Sequence, residues 1–136
     1  MIRDRISCRK LIFWFLMAFY VTILAIIVFF SREPGSRTGV NLQLMGTWGT
    51  TVQSHGYVVE NVLLFIPMGG LLPCCIKPMR NVLGCILAGL ICSVSIELIQ
   101  LATLRGYCQL DDVVMNTVGT ALGWCVFWIV NTAAGS

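Results

Sequence analysis

Four long apolar stretches constrain this chain more than any other feature of its sequence. A helix needs about 20 mostly apolar residues to cross the hydrocarbon core of a bilayer, within a range of about 17 to 25. Stretches that meet this requirement run over residues 11–30, 58–76, 81–103 and 113–130. They contain two acidic residues, Glu60 and Glu97, and no basic ones. The sequence therefore predicts an all-α membrane protein built as a bundle of four transmembrane helices.

The overall composition agrees with a chain that lies in a membrane. Hydrophobic residues make up 57% of its 136 residues and charged residues 11%, whereas soluble domains carry about 25% charged residues. So few charges cannot cover a soluble globule of this size, and intrinsic disorder needs a far more polar chain. The first apolar stretch is also longer than the apolar region of a secretory signal, about 7 to 15 residues, so we expect it to stay attached. We expect a single integral membrane domain over residues 1–136.

Basic residues are unevenly distributed between the connections of the predicted helices. Cytoplasmic segments retain an excess of lysine and arginine. With the N-terminus inside, six basic residues fall on the inner side and three on the outer side. This predicts an N-in/C-in, multi-pass protein of the cell membrane with a 27-residue external loop over residues 31–57. The net charge of +3 is then a topology signal, and we expect no nucleic-acid partner because no basic stripe with interleaved aromatic residues is present.

The predicted external loop is rich in glycine and nevertheless apolar. Five glycines and Pro34 interrupt regular structure, while Leu42 and Met45 are unusual in a freely solvated linker. We expect a segment that lies in the membrane interface or re-enters it, with Trp48 and Tyr57 at the depth of the lipid headgroups.

Residues that could bind a metal ion are few or lack the spacing of a metal site. The chain has one histidine, His55, and its seven cysteines contain no C-x-x-C pair. We therefore expect no metal site and no cofactor. Most cysteines fall in or near the predicted helices, where they serve as small apolar side chains, and Cys108 alone is expected in an external loop.

Polar residues within the apolar stretches are the most informative about function. Glu97 lies about 12 Å below the outer end of its predicted helix, a depth at which a carboxylate must face the bundle interior and be protonated, paired or hydrated. Ser93, Glu97 and Gln100 share one face of the third helix by their spacing. Asp112 and Asn116 share a face of the fourth helix with two small residues, Gly119 and Gly123, whose G-x-x-x-G spacing favours close helix packing.

All of these groups fall in the outer half of the predicted bundle, which indicates one polar site that opens outward. The candidate binding residues are Glu60, Asn61, Glu97, Gln100, Arg105, Asp112 and Asn116. The alternative is a buried hydrogen-bond network that holds the helices together, with Arg105 offsetting the acidic residues. On the second helix, Pro67 with the following Gly69-Gly70 pair predicts a bend that opens a cavity or is a tolerated kink.

Three sequence blocks, in a fixed order, resemble the VanZ-like membrane proteins. They cover residues 61–69 (NVLLFIPMG), 95–100 (SIELIQ), and 105–106 (RG) followed by 111–119 (DDVVMNTVG). The resemblance implies a small bacterial cell-membrane protein that contributes to low-level resistance to teicoplanin and related glycopeptide antibiotics. One stretch departs from the family pattern Asn-Leu-x-Pro-Phe, because residues 41–45 read NLQLM.

Three classes of function fit these residues, and we favour a non-enzymatic binder. In that hypothesis the polar site and its apolar surroundings hold an amphiphile, either a membrane lipid or lipid-linked envelope component or the lipoglycopeptide antibiotic itself. The alternative is an enzyme that modifies a lipid-linked cell-envelope substrate with Glu97 or Asp112 as general base, although no paired nucleophile or phosphate-binding loop accompanies them. A small transporter with Glu97 as a proton relay is a third possibility.

Overall fold

The computed structural model describes residues 2–30, 33–35, 37–45 and 52–135. It contains four long helices and two short strands, in the order α1 (Ile2–Ala25), β1 (Arg37–Asn41), α2 (Val52–Cys75), α3 (Val82–Ala102), β2 (Arg105–Gln109) and α4 (Leu110–Ala134). A π-helical segment, Ile26–Phe30, continues α1, and a 3₁₀ turn, Lys77–Arg80, joins α2 to α3. All four helices are long and apolar enough to cross a membrane. The prediction of a helical membrane protein with four spanning helices is confirmed.

Three of the four helices extend beyond the apolar stretches that predicted them, whereas α3 lies within its predicted stretch. α2 begins at Val52, so the last residues of the predicted loop, including Tyr57, are helical. The cause is that hydropathy marks the part of a helix at membrane depth, whereas backbone hydrogen bonding continues into the polar ends. Tyr57 is exposed near the start of α2, while Trp48 lies outside the described residues. The N-in/C-in orientation stays a prediction.

The two strands form a parallel pair at one end of the bundle. Their register runs from Arg37 opposite Arg105 to Asn41 opposite Gln109. β2 bridges the end of α3 and the start of α4, so the pair covers the end of the bundle at which α3 ends and α4 begins. We call this the strand-bearing end. The sequence predicted both segments as loops, because five-residue strands of mixed polarity show no clear alternation.

Small residues allow α2 and α4 to pack most closely. A methyl group added at Gly119 would overlap the backbone carbonyl of Val62, and one added at Gly123 would overlap that of Ile66. On the facing helix, a methyl group at Gly69 would overlap the carbonyl of Thr120. The close approach predicted from the G-x-x-x-G spacing of α4 is therefore confirmed, and α2 is its partner.

α2 runs without interruption through both of its prolines, Pro67 and Pro73. A proline removes the amide that would bond the carbonyl four residues earlier, which for Pro73 is the carbonyl of Gly69. The buried thiol of Cys85 on α3 donates to that carbonyl, with Sγ 3.8 Å from the oxygen. A neighbouring helix thus supplies the donor that the proline lacks, as spanning helices with proline require.

The apolar core lies where α1 meets α2 and α3. Leu24, Val28, Phe65 and Ile96 are buried there. Tyr20 packs against this cluster, and its hydroxyl donates to the carbonyl oxygen of Leu64 at 2.9 Å. The core borders the polar groups of the strand-bearing end, so it holds α1 against the helices that carry them.

Candidate functional site

The polar faces predicted on α3 and α4 meet inside the bundle. Asn116 on α4 donates from Nδ2 to Oγ of Ser93 on α3 at 2.8 Å. Ser93 and Asn116 are both buried, as is Thr120, whose hydroxyl donates to the carbonyl of Asn116 at 3.0 Å. These residues lie within the candidate membrane spans of both helices, and an unsatisfied polar group is costly inside a membrane.

Two buried carboxylates hold the strands against the helices. Glu97, near the end of α3, is 3% exposed and accepts the backbone amide of Gln109 at 2.9 Å. Asp111, in the first turn of α4, is 2% exposed and accepts the backbone amide of Met45 at 2.6 Å. Ionised acceptors make stronger hydrogen bonds than neutral ones. The last residue of β2 and the segment that follows β1 are therefore tied to spanning helices through main-chain amides.

Asp111 is absent from the candidate binding residues predicted from the sequence. The first turn of a helix favours acidic residues through the helix dipole, and that explanation was sufficient for Asp111 from sequence alone. The one available signal was the pair of adjacent acids before an apolar stretch, since two neighbours on a helix point in different directions and have different partners.

Asp112 lies nearer the surface and joins α4 to α2. Its Oδ1 accepts from Nδ2 of Asn61 at 2.7 Å, and both side chains are partly exposed. The neighbouring Glu60 is exposed on α2. Of the predicted binding residues, Asn61 and Asp112 are therefore in direct contact and reachable from the surface, whereas Glu60 lies on an outer face of the bundle.

Gln100 and Arg105 form hydrogen bonds with the end of the first helix. Gln100 donates from Nε2 to the carbonyl of Val28 at 3.1 Å, and Arg105 donates from Nη1 to the carbonyl of Phe29 at 2.8 Å. The Arg105 guanidinium also lies 5.9 Å from the centre of the Phe30 ring, within the range of a cation–π interaction. The last carbonyls of a helix have no partner within it, so both side chains cap the π-helical segment.

Two amide oxygens in this region are buried without a donor among the described residues. They are Oε1 of Gln100 and Oδ1 of Asn116. Each amide uses its nitrogen in a bond described above, which leaves its oxygen as the open acceptor. A buried acceptor without a partner costs about 1–3 kcal/mol. A water molecule or a donor group of a bound molecule would remove that cost.

Negative charge is concentrated toward the strand-bearing end. Residues 31–61 and 97–112 hold five of the six acidic residues but three of the nine basic ones. Burial raises the pKa of the Cys108 thiol on β2 above its ordinary value, and the nearby carboxylates of Glu97 and Asp112 raise that pKa further. Among the described residues, no group of three or more His, Cys, Asp or Glu side chains is placed to hold a metal ion.

A comparison with protein families matches residues 13–131 to the family described as VanZ/LLP1. The chain belongs to the VanZ/LLP1 family. The match covers most of the chain and includes all three blocks that carry the resemblance. No curated protein and no solved structure matches this VanZ/LLP1 chain.

The stretch that departs from the VanZ-like pattern still contacts the site. Asn41 ends β1, and its Oδ1 accepts from the amide of Gln43 at 3.0 Å, which turns the chain. The turn brings the backbone amide of Met45 to the carboxylate of Asp111. Because this contact uses the main chain, the different side chains at residues 43–45 leave it intact.

Proposed function

We propose that this VanZ/LLP1 protein is a non-enzymatic membrane protein that contributes to low-level resistance to teicoplanin-type glycopeptides. It does so by binding an amphiphile at the strand-bearing end of the bundle, either an envelope lipid or the lipid-bearing antibiotic itself. The predicted N-in/C-in topology places that end on the outer face of the cell membrane, where both ligands are found.

The observation that carries the proposal is the pair of buried amide oxygens without a donor. The large majority of buried polar side-chain atoms in native structures have a hydrogen-bond partner. Here two buried acceptors have no donor among the described residues. Ammonium, amide and hydroxyl groups, which occur in lipid headgroups and in glycopeptides, carry the donors that such acceptors require.

The contacts of Glu97 favour binding over catalysis. A general base must reach the proton that it removes, but one oxygen of Glu97 already accepts the Gln109 amide and so holds β2 against α3. Asp112 is more accessible, and its contact with Asn61 suits the recognition of a headgroup. These contacts therefore favour binding of an amphiphile as the function.

The test is drug susceptibility in a glycopeptide-sensitive Gram-positive host. The host expresses wild type or a double variant, Ser93→Ala with Asn116→Leu, at matched membrane levels. The double variant removes both partners of one hydrogen bond together with one open acceptor, a change that is nearly neutral for stability. Thr117→Val is the matched control, because the Thr117 hydroxyl bonds only within its own helix turn, to the carbonyl of Val113.

We expect wild type and Thr117→Val to raise the inhibitory concentration of teicoplanin and the double variant to lose that protection. Protection by all three proteins would show that Ser93 and Asn116 only join helices and would refute a role of the Asn116 oxygen in binding. Absence of protection in every case would refute the resistance role. Thermal-shift measurements on the purified protein, with teicoplanin in one series and envelope phospholipids in the other, distinguish the two sources of the amphiphile.

A further inference from the structure

A groove of about 570 Å³ lies between α1, α2 and α4. α1 contributes side chains between Leu16 and Leu24, α2 contributes residues between Leu63 and Leu71, and α4 contributes Gly123 and Val126. All of these positions lie within the candidate membrane spans. The groove therefore faces the hydrocarbon of the bilayer, and it follows α1 for about 12 Å at a rise of about 1.5 Å per residue.

The groove is lined by carbon. Tyr20 has the one hydroxyl among the side chains that line the groove, and that hydroxyl already donates to the carbonyl of Leu64. A water molecule needs two to four polar partners to occupy a cavity. Water is therefore a poor occupant, and a hydrocarbon chain is a good one.

The absence of a side chain at Gly70 opens the groove. A methyl group added at Gly70 would meet a single atom, the carbonyl oxygen of Gly123, at an ordinary contact distance of 3.7 Å. The neighbouring Gly69 differs, because a methyl group there would overlap the backbone of Thr120. Gly69 thus serves helix packing, whereas Gly70 leaves space that no group of the described chain fills.

The volume suits one lipid chain. An engineered apolar cavity of about 150 Å³ binds benzene, which has six carbons. At that ratio, the groove holds about twenty carbons, which is enough for one acyl chain.

The groove also begins next to the accessible polar pair. Leu63 and Leu64 follow Asn61 within one helical turn, and Asn61 contacts Asp112. We propose that the groove binds one acyl chain of a membrane phospholipid whose headgroup lies at Asn61 and Asp112. This inference rests on the proposed function and adds a defined site for the hydrophobic tail.

Photocrosslinking tests the inference. The full-length protein is placed in nanodiscs that contain a phosphatidylethanolamine with a diazirine on one acyl chain, and crosslinked residues are mapped by mass spectrometry. Gly70→Leu and Val126→Trp fill the groove. Val118→Trp is the control, because Val118 is an exposed valine of the same helix outside the groove.

We expect crosslinks concentrated on α1 and α2 along the groove. A bulky side chain in the groove occupies the space of the acyl chain, so both filling variants should lose most of these crosslinks, whereas Val118→Trp should keep them. Thermal unfolding verifies that the variants remain folded. If a filling variant does not fold, Gly70→Ala or Leu63→Trp takes its place. Crosslinks spread evenly over the exposed faces of all four helices, or unchanged in the filling variants, would overturn the inference.

The groove inference and the proposed function can fail independently of each other. Asp112→Asn removes the charge of the polar pair and leaves the groove unchanged. If Asp112→Asn weakens binding of teicoplanin or phospholipid in the thermal-shift series but the groove variants do not, the proposed function stands and the groove inference fails. If the wild type binds neither molecule in that series and its crosslinks are spread evenly, both fail.

Discussion

Adjacent glycines on α2 should respond in opposite ways to the same substitution. In Gly69→Ala the new methyl group overlaps the backbone carbonyl of Thr120, which cannot move away as a flexible side chain would. α2 and α4 must then separate, and overpacking of this kind costs typically about 1–3 kcal/mol. In Gly70→Ala the methyl group enters the open groove at 3.7 Å from its nearest neighbour.

The difference between the two variants is the quantity to measure. Alanine is favoured over glycine within a helix by about 0.8–1 kcal/mol, so Gly70→Ala should match or slightly exceed wild type in stability. Gly69→Ala should lose about 1–3 kcal/mol of unfolding free energy. Equilibrium unfolding in mixed micelles, followed by helical circular dichroism, measures both. Equal destabilisation, or a stable Gly69→Ala protein, would refute the placement of Gly69 against α4 and of Gly70 in the groove.

Two further predictions concern the strand-bearing end. Because burial and the carboxylates of Glu97 and Asp112 raise the pKa of Cys108, less thiolate is present at neutral pH than in a free cysteine. Maleimide labelling of Cys108 in detergent should therefore be slow near pH 7 and should increase at higher pH than labelling of a free cysteine. Asp112→Asn should move this pH profile of labelling to lower pH. An unchanged profile would contradict the proximity of the Asp112 carboxylate. Arg105→Met removes the donor to the Phe29 carbonyl, so the unfolding free energy should fall by about 1.5–3 kcal/mol and hydrogen exchange should increase at Ile26–Phe30 more than elsewhere in α1. Uniform exchange along α1 would show that Arg105 does not cap it.

The polar residues of this protein have two kinds of role. Glu97, Gln100, Arg105 and Asp111 bind backbone groups of β2, of the segment after β1 and of the end of α1. These contacts assemble the strand-bearing end. We assign the remaining polar groups to a ligand. These groups are the open amide oxygens and the Asn61–Asp112 pair.

The sequence by itself determined the four helices, because burial in a bilayer depends on local length and apolarity. It also placed Ser93 with Glu97 and Gln100 on one face, and the glycines of α4 at a packing surface, because helical periodicity is a local property. The family resemblance was equally readable, since it depends on short blocks of consecutive residues.

Only the tertiary structure decided how these faces are used. The pairing of β1 with β2, the contact of Met45 with Asp111 and the capping of α1 by Gln100 and Arg105 join residues that are 66 to 76 positions apart. The sequence favoured Asp112 over Asp111 as a site residue, yet Asp111 is the more deeply buried. Hydrogen-bond partners across the bundle depend on how the helices are rotated against one another, and that rotation follows from the packing of all four together.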